Sequence, residues 1–246
     1  MNMMDRKKWQ AFKKNLTENG AKVVKTVLIG VLVLHICQIA LFKWVNPPIT
    51  LTQWSSVLDG YTFQRDTTDI SQISPNLQLA VIAAEDQLFA QHNGFDMNGI
   101  KKAFEHNTAG KPLRGASTIS QQTAKNVFLW QGRTWLRKGL EVYFTFVIEK
   151  LYGKERILSL YLNEAEMGPG IFGAEAAAHA YFNKSAANLT PREAALIAAC
   201  LPNPKKYNPA RPSSHIQRKA RWILSQMNYL KTRPNTRDLL FRSDSK

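Results

Sequence analysis

Three short stretches hold side chains whose types and spacing could do acid–base and anion chemistry. In the run Glu85–Asp96 (EDQLFAQHNGFD), Glu85, Phe89 and His92 stand at i, i+4 and i+7, so on a helix a carboxylate, an aromatic ring and an imidazole would share one face. Leu79–Ala84, just before them, is almost wholly apolar, so Glu85 leaves a buried stretch. Partial burial raises a carboxyl pKa and suits the group to take a proton. A solvated charge at a helix end fits the same spacing equally well. In Gly115–Asn126 (GASTISQQTAKN), Thr118, Gln121, Gln122 and Lys125 stand at i, i+3, i+4 and i+7, a polar stripe of hydroxyl, two amides and an ammonium. Gly115 and Ser117 precede the N-terminus of that expected helix, where free amides and the helix dipole favour an anion. The stripe suits a pyrophosphate or a sugar rich in hydroxyls; an exposed polar face is the plainer alternative. Third, Arg137 and Lys138 precede Glu141 by one turn. A surface ion pair is the commoner meaning of that spacing, and a second carboxylate held among cations near a phosphate is the functional one.

These side chains need helices to carry them. Ser74-Pro75 reads as an N-cap with proline at the first helical position, and predicts a helix to about Gln91. A loop is expected over His106–Arg114, with a second helix beginning near Ser117 or Thr118. Further helices are expected over Leu136–Tyr152, Lys154–Glu166, Ala174–Tyr181 and Ser214–Leu230, with a turn region around Gly168, Gly170 and Gly173. Thr190-Pro191-Arg192-Glu193 matches a capping box and opens a helix to Cys200. Residues Thr50–Asp69 give strand-like and turn-like pieces without a strong period. Strand signals are few, so the fold class is mainly α.

The charge is strongly positive, 33 Lys and Arg against 18 Asp and Glu. That favours anionic partners, whether nucleic acid, phosphate-bearing substrates or an anionic membrane surface. The excess sits at the two ends of the chain. Near the start, Lys22 and Lys25 lead into the apolar run Thr26–Phe42, which Lys43 and Trp44 close. Lysines that snorkel and an interfacial tryptophan suit an uncleaved transmembrane helix with its basic N-terminus in the cytoplasm. No small-x-small cleavage pattern follows the run. The expected organisation is a basic segment 1–25, an anchor 26–45 and a domain 46–246. Cys37 and Cys200 are expected to be packed free thiols.

Taken together, the blocks E-D-x-x-F-x-x-H-x-G, G-x-S-T-I-x-Q-Q-x-x-K-N and R-K-x-x-E resemble glycosyltransferase family 51, the peptidoglycan glycosyltransferases, and most of all its monofunctional biosynthetic type. Lys154, Ile157–Asn163, Gly168, Gly173 and Ala177–Phe182 add a fourth matching block. The likeness covers roughly Ser55–Arg211; Ala116, Ser120 and Thr123 are mild departures that touch no catalytic group. The resemblance implies a lysozyme-like, two-lobed helical domain behind a single N-terminal transmembrane helix. It implies inverting transfer of a glycan chain on a polyprenyl pyrophosphate to the GlcNAc 4-hydroxyl of lipid II. Glu85 would be the general base and Glu141 would assist departure of the pyrophosphate. Lys125, Arg137 and Lys138 would neutralise the departing charge, while Gly115, Ser117, Thr118, Gln121, Gln122 and Asn126 would position sugar and phosphate. Asp86, Phe89 and His92 would shape the surroundings of the base. No cofactor and no metal site is expected, although a divalent cation, Mg or Mn, could sit at the pyrophosphate. The expected partners are lipid II, the lipid-linked glycan, the membrane, and cell-wall synthesis or division proteins, with no nucleic acid. The expected location is the bacterial inner membrane with the domain on the periplasmic side.

Weaker signals were weighed against this. Gly168–Gly173 spells G-x-G-x-x-G, but a dinucleotide site needs a preceding strand, and Leu158–Met167 looks helical. Ser243 and Lys246 spell S-x-x-K with no K-T-G after them, so no transpeptidase domain is expected. Val127–Lys138 interleaves aromatic, aliphatic and basic residues and is expected to dip into the outer headgroup layer, with Phe128 and Trp130 as its probes. The rival functions are a lytic glycosidase of the same fold and an inactive lipid II-binding scaffold. The cations argue for a phosphate leaving group, which a hydrolase lacks, and the presence of both Glu85 and Glu141 argues against the scaffold.

Overall fold

The computed structural model describes residues 3–110 and 115–241, with side chains from Asn19 onward. Lys111–Arg114 of the expected loop, and the Ser243/Lys246 pair, lie outside the described residues. The chain divides into two units, Met1–Val45 and Asn46–Lys246.

The first unit is one helix, α1 (Met3–Phe42). Its segment Asn19–Phe42 has 24 residues and is apolar enough to cross a membrane. At 1.5 Å per residue that is about 36 Å, more than the ~30 Å of hydrocarbon to be crossed. Leu28, Val33 and Leu34 are more than half exposed, as on a helix that turns apolar side chains outward, and α1 fits a single-pass membrane anchor. The helix begins well before Thr26, because nothing between Met3 and Lys25 breaks it. Cys37 is exposed rather than packed; Cys200 is buried, and both are free.

The second unit is mainly helical. Eleven α-helices occur among the described residues of the chain, ten of them here. In order they are α2 (Leu51–Leu58), α3 (Pro75–Glu85), α4 (Met97–Thr108), α5 (Ile119–Phe128), α6 (Trp135–Leu151), α7 (Lys154–Glu164), α8 (Ala174–Phe182), α9 (Pro191–Cys200), α10 (Ser214–Lys231) and α11 (Pro234–Leu240). Three short strands, β1 (Gln64–Arg65), β2 (Glu166–Gly168) and β3 (Ile171–Phe172), form a sheet in the order β1-β3-β2. β1 runs parallel to β3, and β2 antiparallel to it. The G-x-G-x-x-G run is thus a hairpin turn, not a phosphate loop. Gly170 has φ +70°, and a Cβ there would collide with the Thr62 carbonyl.

Two helix groups meet at the site. α3 packs against α9 and α10, and α5 packs against α6 and α7. α3 is apolar on every side, Leu77–Ala83 being buried throughout, so it forms the centre of the first group. Its start is as expected, Ser74 Oγ accepting from Asn76 N. Its end is not. α3 stops at Glu85, six residues short of Gln91, because Asp86 turns out of the helix at φ −160°, ψ 79°. Hence Glu85, Phe89 and His92 do not share a helical face. The expected loop from His106 is also corrected, since α4 continues to Thr108. α4 and α11 were not expected, and neither was α2, although Thr50 and Gln53 form a capping box at its start. α7 ends at Glu164, two residues before Glu166 enters β2.

Candidate active site

Glu85, the last residue of α3, lies between two cavities of about 520 and about 470 Å³ and lines both. Gln122 Nε2 donates to its Oε2 at 2.8 Å. Burial pushes the Glu85 carboxyl above the ordinary glutamate range; the Gln122 hydrogen bond and the fields of Lys219 and Lys125 pull it partly back, and Asp86 pushes it up. The result is a carboxylate poised to accept a proton.

The turn after Glu85 is locked to the start of α5. Asp86 is buried, and its Oδ2 accepts from Ile119 N at 3.0 Å. Gly94 N donates to His92 Nδ1 at 3.1 Å, which leaves the ring proton on Nε2. From there it is donated to Asp86 Oδ1 at 2.9 Å. Thr118 Oγ1 donates to Gly94 O at 2.7 Å. Asp86 and His92 therefore fix the base from behind. Phe89 is fully buried, with Lys154 Nζ 4.6 Å from its ring centroid, so it holds the turn and cannot meet a substrate. Gly94 has φ +89°, and an added Cβ would lie 2.8 Å from Thr145 Cγ2 and 2.9 Å from Glu149 Cγ. Gly94→Ala is expected to cost about 2 kcal/mol or more of stability, from the left-handed backbone and the clash together, read as a lower urea midpoint.

The polar stripe of α5 splits in two. Thr118 and Gln121 are buried and cap the helix, Thr118 N donating to Gln121 Oε1 at 3.0 Å and Gln121 N to Thr118 Oγ1 at 3.2 Å. Gln121 is thus a capping residue. The expectation of free amides for a phosphate at this N-terminus is corrected as well, because Ile119 N and Gln121 N are already taken and the Asp86 carboxylate is the anion seated there. Gly115, Ser117 and Thr118 line the first cavity. Gln122, Lys125 and Asn126 line the second.

Arg137, Lys138 and Glu141 cluster on the first turns of α6. Arg137 Nη1 donates to Glu141 Oε2 at 2.7 Å and Lys138 Nζ pairs with Oε1. Glu141 is only 3% exposed, so this is not a surface pair. Arg137 Nε is buried with no hydrogen-bond partner, an unspent donor of the kind that a phosphate oxygen satisfies. Lys125 links the two carboxylates. Burial pulls its ammonium below the ordinary lysine value, Glu141 and Glu85 push it back, and Arg137 and Lys138 oppose them.

The sequence reading missed Asn98, Lys102, Trp222 and Gln226 in the first cavity, and Asp59, Tyr161, Glu166 and Lys205 in the second. Lys219, Trp222 and Gln226 recur at i, i+3 and i+7 on α10, a spacing that could have revealed them. The Asp59 and Glu166 positions depend on tertiary contacts with no local signal.

A proton acceptor between two polar cavities, with cations gathered near one of them, suits the transfer of a sugar from a phosphate-bearing carrier. Fold and site thereby define the class, a glycosyltransferase. The family model described as Transglycosylase matches residues 52–228. A biosynthetic peptidoglycan transglycosylase of Shewanella oneidensis is 47% identical over 212 residues, 83% of this chain and 89% of that protein. Those of Aeromonas hydrophila and Pseudomonas aeruginosa are 49% and 50% identical, over 83% and 77% of this chain and 88% and 84% of theirs. The chain belongs to the transglycosylase family.

Proposed function

We propose that this enzyme polymerises peptidoglycan glycan chains from lipid II, with Glu85 as the general base. The placement of Glu85 carries the reading: one half-buried carboxylate of raised pKa serves both cavities, as the base of a reaction between two bound sugars must. Glu85 takes the proton from the GlcNAc 4-hydroxyl of lipid II, and that oxygen attacks C1 of the MurNAc at the carrier end of the growing chain. The bond from C1 to the pyrophosphate breaks with inversion, and the polyprenyl pyrophosphate departs. Lys125, Arg137 and Lys138 stabilise the departing charge, and Glu141 holds the last two in place. Asp86 and His92 position the base; Gln122, Asn126, Ser117 and Thr118 meet the sugars. Three cations of the chain itself supply the positive charge, so the reading requires no cofactor; a Mg or Mn ion on the pyrophosphate is compatible with it. The anchor keeps the domain on the outer, periplasmic face of the inner membrane, where both lipid-linked substrates are confined and cell-wall synthesis or division proteins are within reach.

The test is to incubate the purified full chain with labelled lipid II and run the product with and without muramidase. Muramidase-sensitive polymer is expected. Cleavage of preformed glycan without polymer would turn the reading to a lytic glycosidase, and tight lipid II binding without either product to a scaffold.

The headgroup contact expected of residues 127–138 needs a different pair of probes. Val127 and Leu129 are buried, and Phe128 stacks on Phe144 with centroids 4.6 Å apart. The outward residues are Trp135, 92% exposed, and Leu136, 70% exposed. Replacing both with Ser is expected to weaken vesicle binding of residues 46–246 about tenfold, from the apolar area no longer buried, in a sedimentation assay.

A further inference from the structure

α2 is built inside out. At about 100° per residue, Leu51, Trp54 and Leu58 fall within one narrow arc, and Thr52, Gln53 and Ser56 on the opposite side. The polar side faces inward: Thr52, Gln53 and Ser56 are buried. Gln53 Nε2 donates to Glu164 Oε2 at 2.7 Å, and Gln131 Nε2 donates to Thr52 Oγ1 at 2.8 Å. The apolar side faces outward: Leu51 is 53%, Trp54 54% and Leu58 72% exposed. A soluble domain places its helices the other way round. Single exposed apolar residues need no explanation, but a whole helical face of them marks an interaction surface.

We infer that α2 is an interfacial helix, with Leu51, Trp54 and Leu58 seated at the headgroup–acyl boundary of the bilayer that α1 crosses. Two observations name lipid as the occupant. α2 begins at Leu51, shortly after α1 ends at Phe42, so the chain has just left the membrane when it forms. The Gln131–Thr52 hydrogen bond also joins α2 to the turn that leads to Trp135 and Leu136, making the two apolar surfaces neighbours. A tryptophan between two leucines is the composition of an interfacial face.

The inference deepens the proposed function and rests on it in one respect. Thr52, Ser55 and Ser56, on the inner side of α2, line the second cavity together with Glu85 and Lys125. A helix lying at headgroup level brings that cavity to the depth at which a carrier lipid presents its pyrophosphate, so the substrate is drawn in sideways from the bilayer.

The test places a nitroxide on Leu58→Cys in the full chain, in a Cys37→Ser background, reconstituted into phosphatidylethanolamine–phosphatidylglycerol vesicles. Cys200 is buried, and burial pushes its thiol up to about 11, so it stays unlabelled. Collision rates with oxygen and with a water-soluble nickel chelate report depth. The oxygen-to-nickel ratio at 58 is expected to exceed that of a label on Arg218→Cys by about threefold or more, since oxygen concentrates in the acyl region. Equal ratios would overturn the inference, and so would protection from both reagents, which would mean that a second copy of the chain covers the face. This readout needs no turnover, so it stands or falls apart from the polymerase reading. In the second arm, Trp54→Ser with Leu58→Ser is expected to slow polymerisation about tenfold in vesicles and less than about twofold in detergent micelles, where lateral entry is abolished. Equal losses in both media would refute lateral entry.

Discussion

Glu85→Gln is expected to lower kcat for polymer formation by about two to four orders of magnitude, the range a positioned general base supplies, while leaving lipid II binding intact. The amide is isosteric, and its oxygen can still accept from Gln122 Nε2, which lies 2.8 Å from the native carboxylate. Stability should move the other way. The folded-state pKa of Glu85 is raised, chiefly by burial. A carboxyl raised on folding contributes stability below its unfolded pKa and loses it as pH rises through the folded value. At neutral pH the ionised native side chain therefore works against the fold, and the neutral amide does not. Thermal unfolding should show the variant at least as stable as the parent at neutral pH, with any advantage shrinking in acid. The rate of the parent should fall as pH drops through the raised Glu85 pKa, because only the anion takes a proton. Gln122→Leu removes a donor that favours the anion, so it should shift that acid limb to higher pH. An unshifted limb would dissociate the limb from Glu85, and a Glu85→Gln variant with parental kcat would end the assignment of the base.

The difference between what the sequence shows and what it hides is clear at this carboxylate. The apolar run before Glu85 was legible, because a helix buried on every side reads as unbroken hydrophobicity. The cap at Ser74-Pro75 was legible for the same local reason. The stop at Asp86 was not. Nothing in Asp86-Gln87-Leu88 breaks a helix by propensity, and the turn exists because the Asp86 carboxylate is claimed by an amide 33 positions away. Such a long-range bond leaves no periodic trace. The same holds for α5: Thr118 and Gln121 looked like part of a ligand-facing stripe, yet T-x-x-Q is also a capping box, and the structure uses them so. α2 was misread because its pattern is inverted. Buried polar and exposed apolar residues weaken any argument that takes hydrophobic faces as inward.

Glu141 should give the second large effect. Its carboxylate is buried and neutralises Arg137 directly, with Lys138 on the other oxygen. Glu141→Leu strips both partners and leaves a buried guanidinium unpaired, for which about 3–5 kcal/mol of destabilisation is expected. Lys138 is 41% exposed at its side chain, so water rescues it and the cost centres on Arg137. Glu141→Gln keeps an acceptor for Arg137 Nη1 and should cost about 1–3 kcal/mol, read from the midpoint of denaturant unfolding. Catalysis distinguishes positioning from simple charge. Removing a negative group from beside an anionic substrate strengthens its ground-state attraction to Lys125, Arg137 and Lys138. KM should then hold or fall. If Glu141 serves to hold those cations where charge develops, kcat should still drop, by about a hundredfold or more in the folded Gln variant, as when one preorganised stabilising contact is lost. A variant that is folded, with unchanged kcat and a raised KM, would mean that Glu141 binds substrate directly and takes no part in the departure of the pyrophosphate.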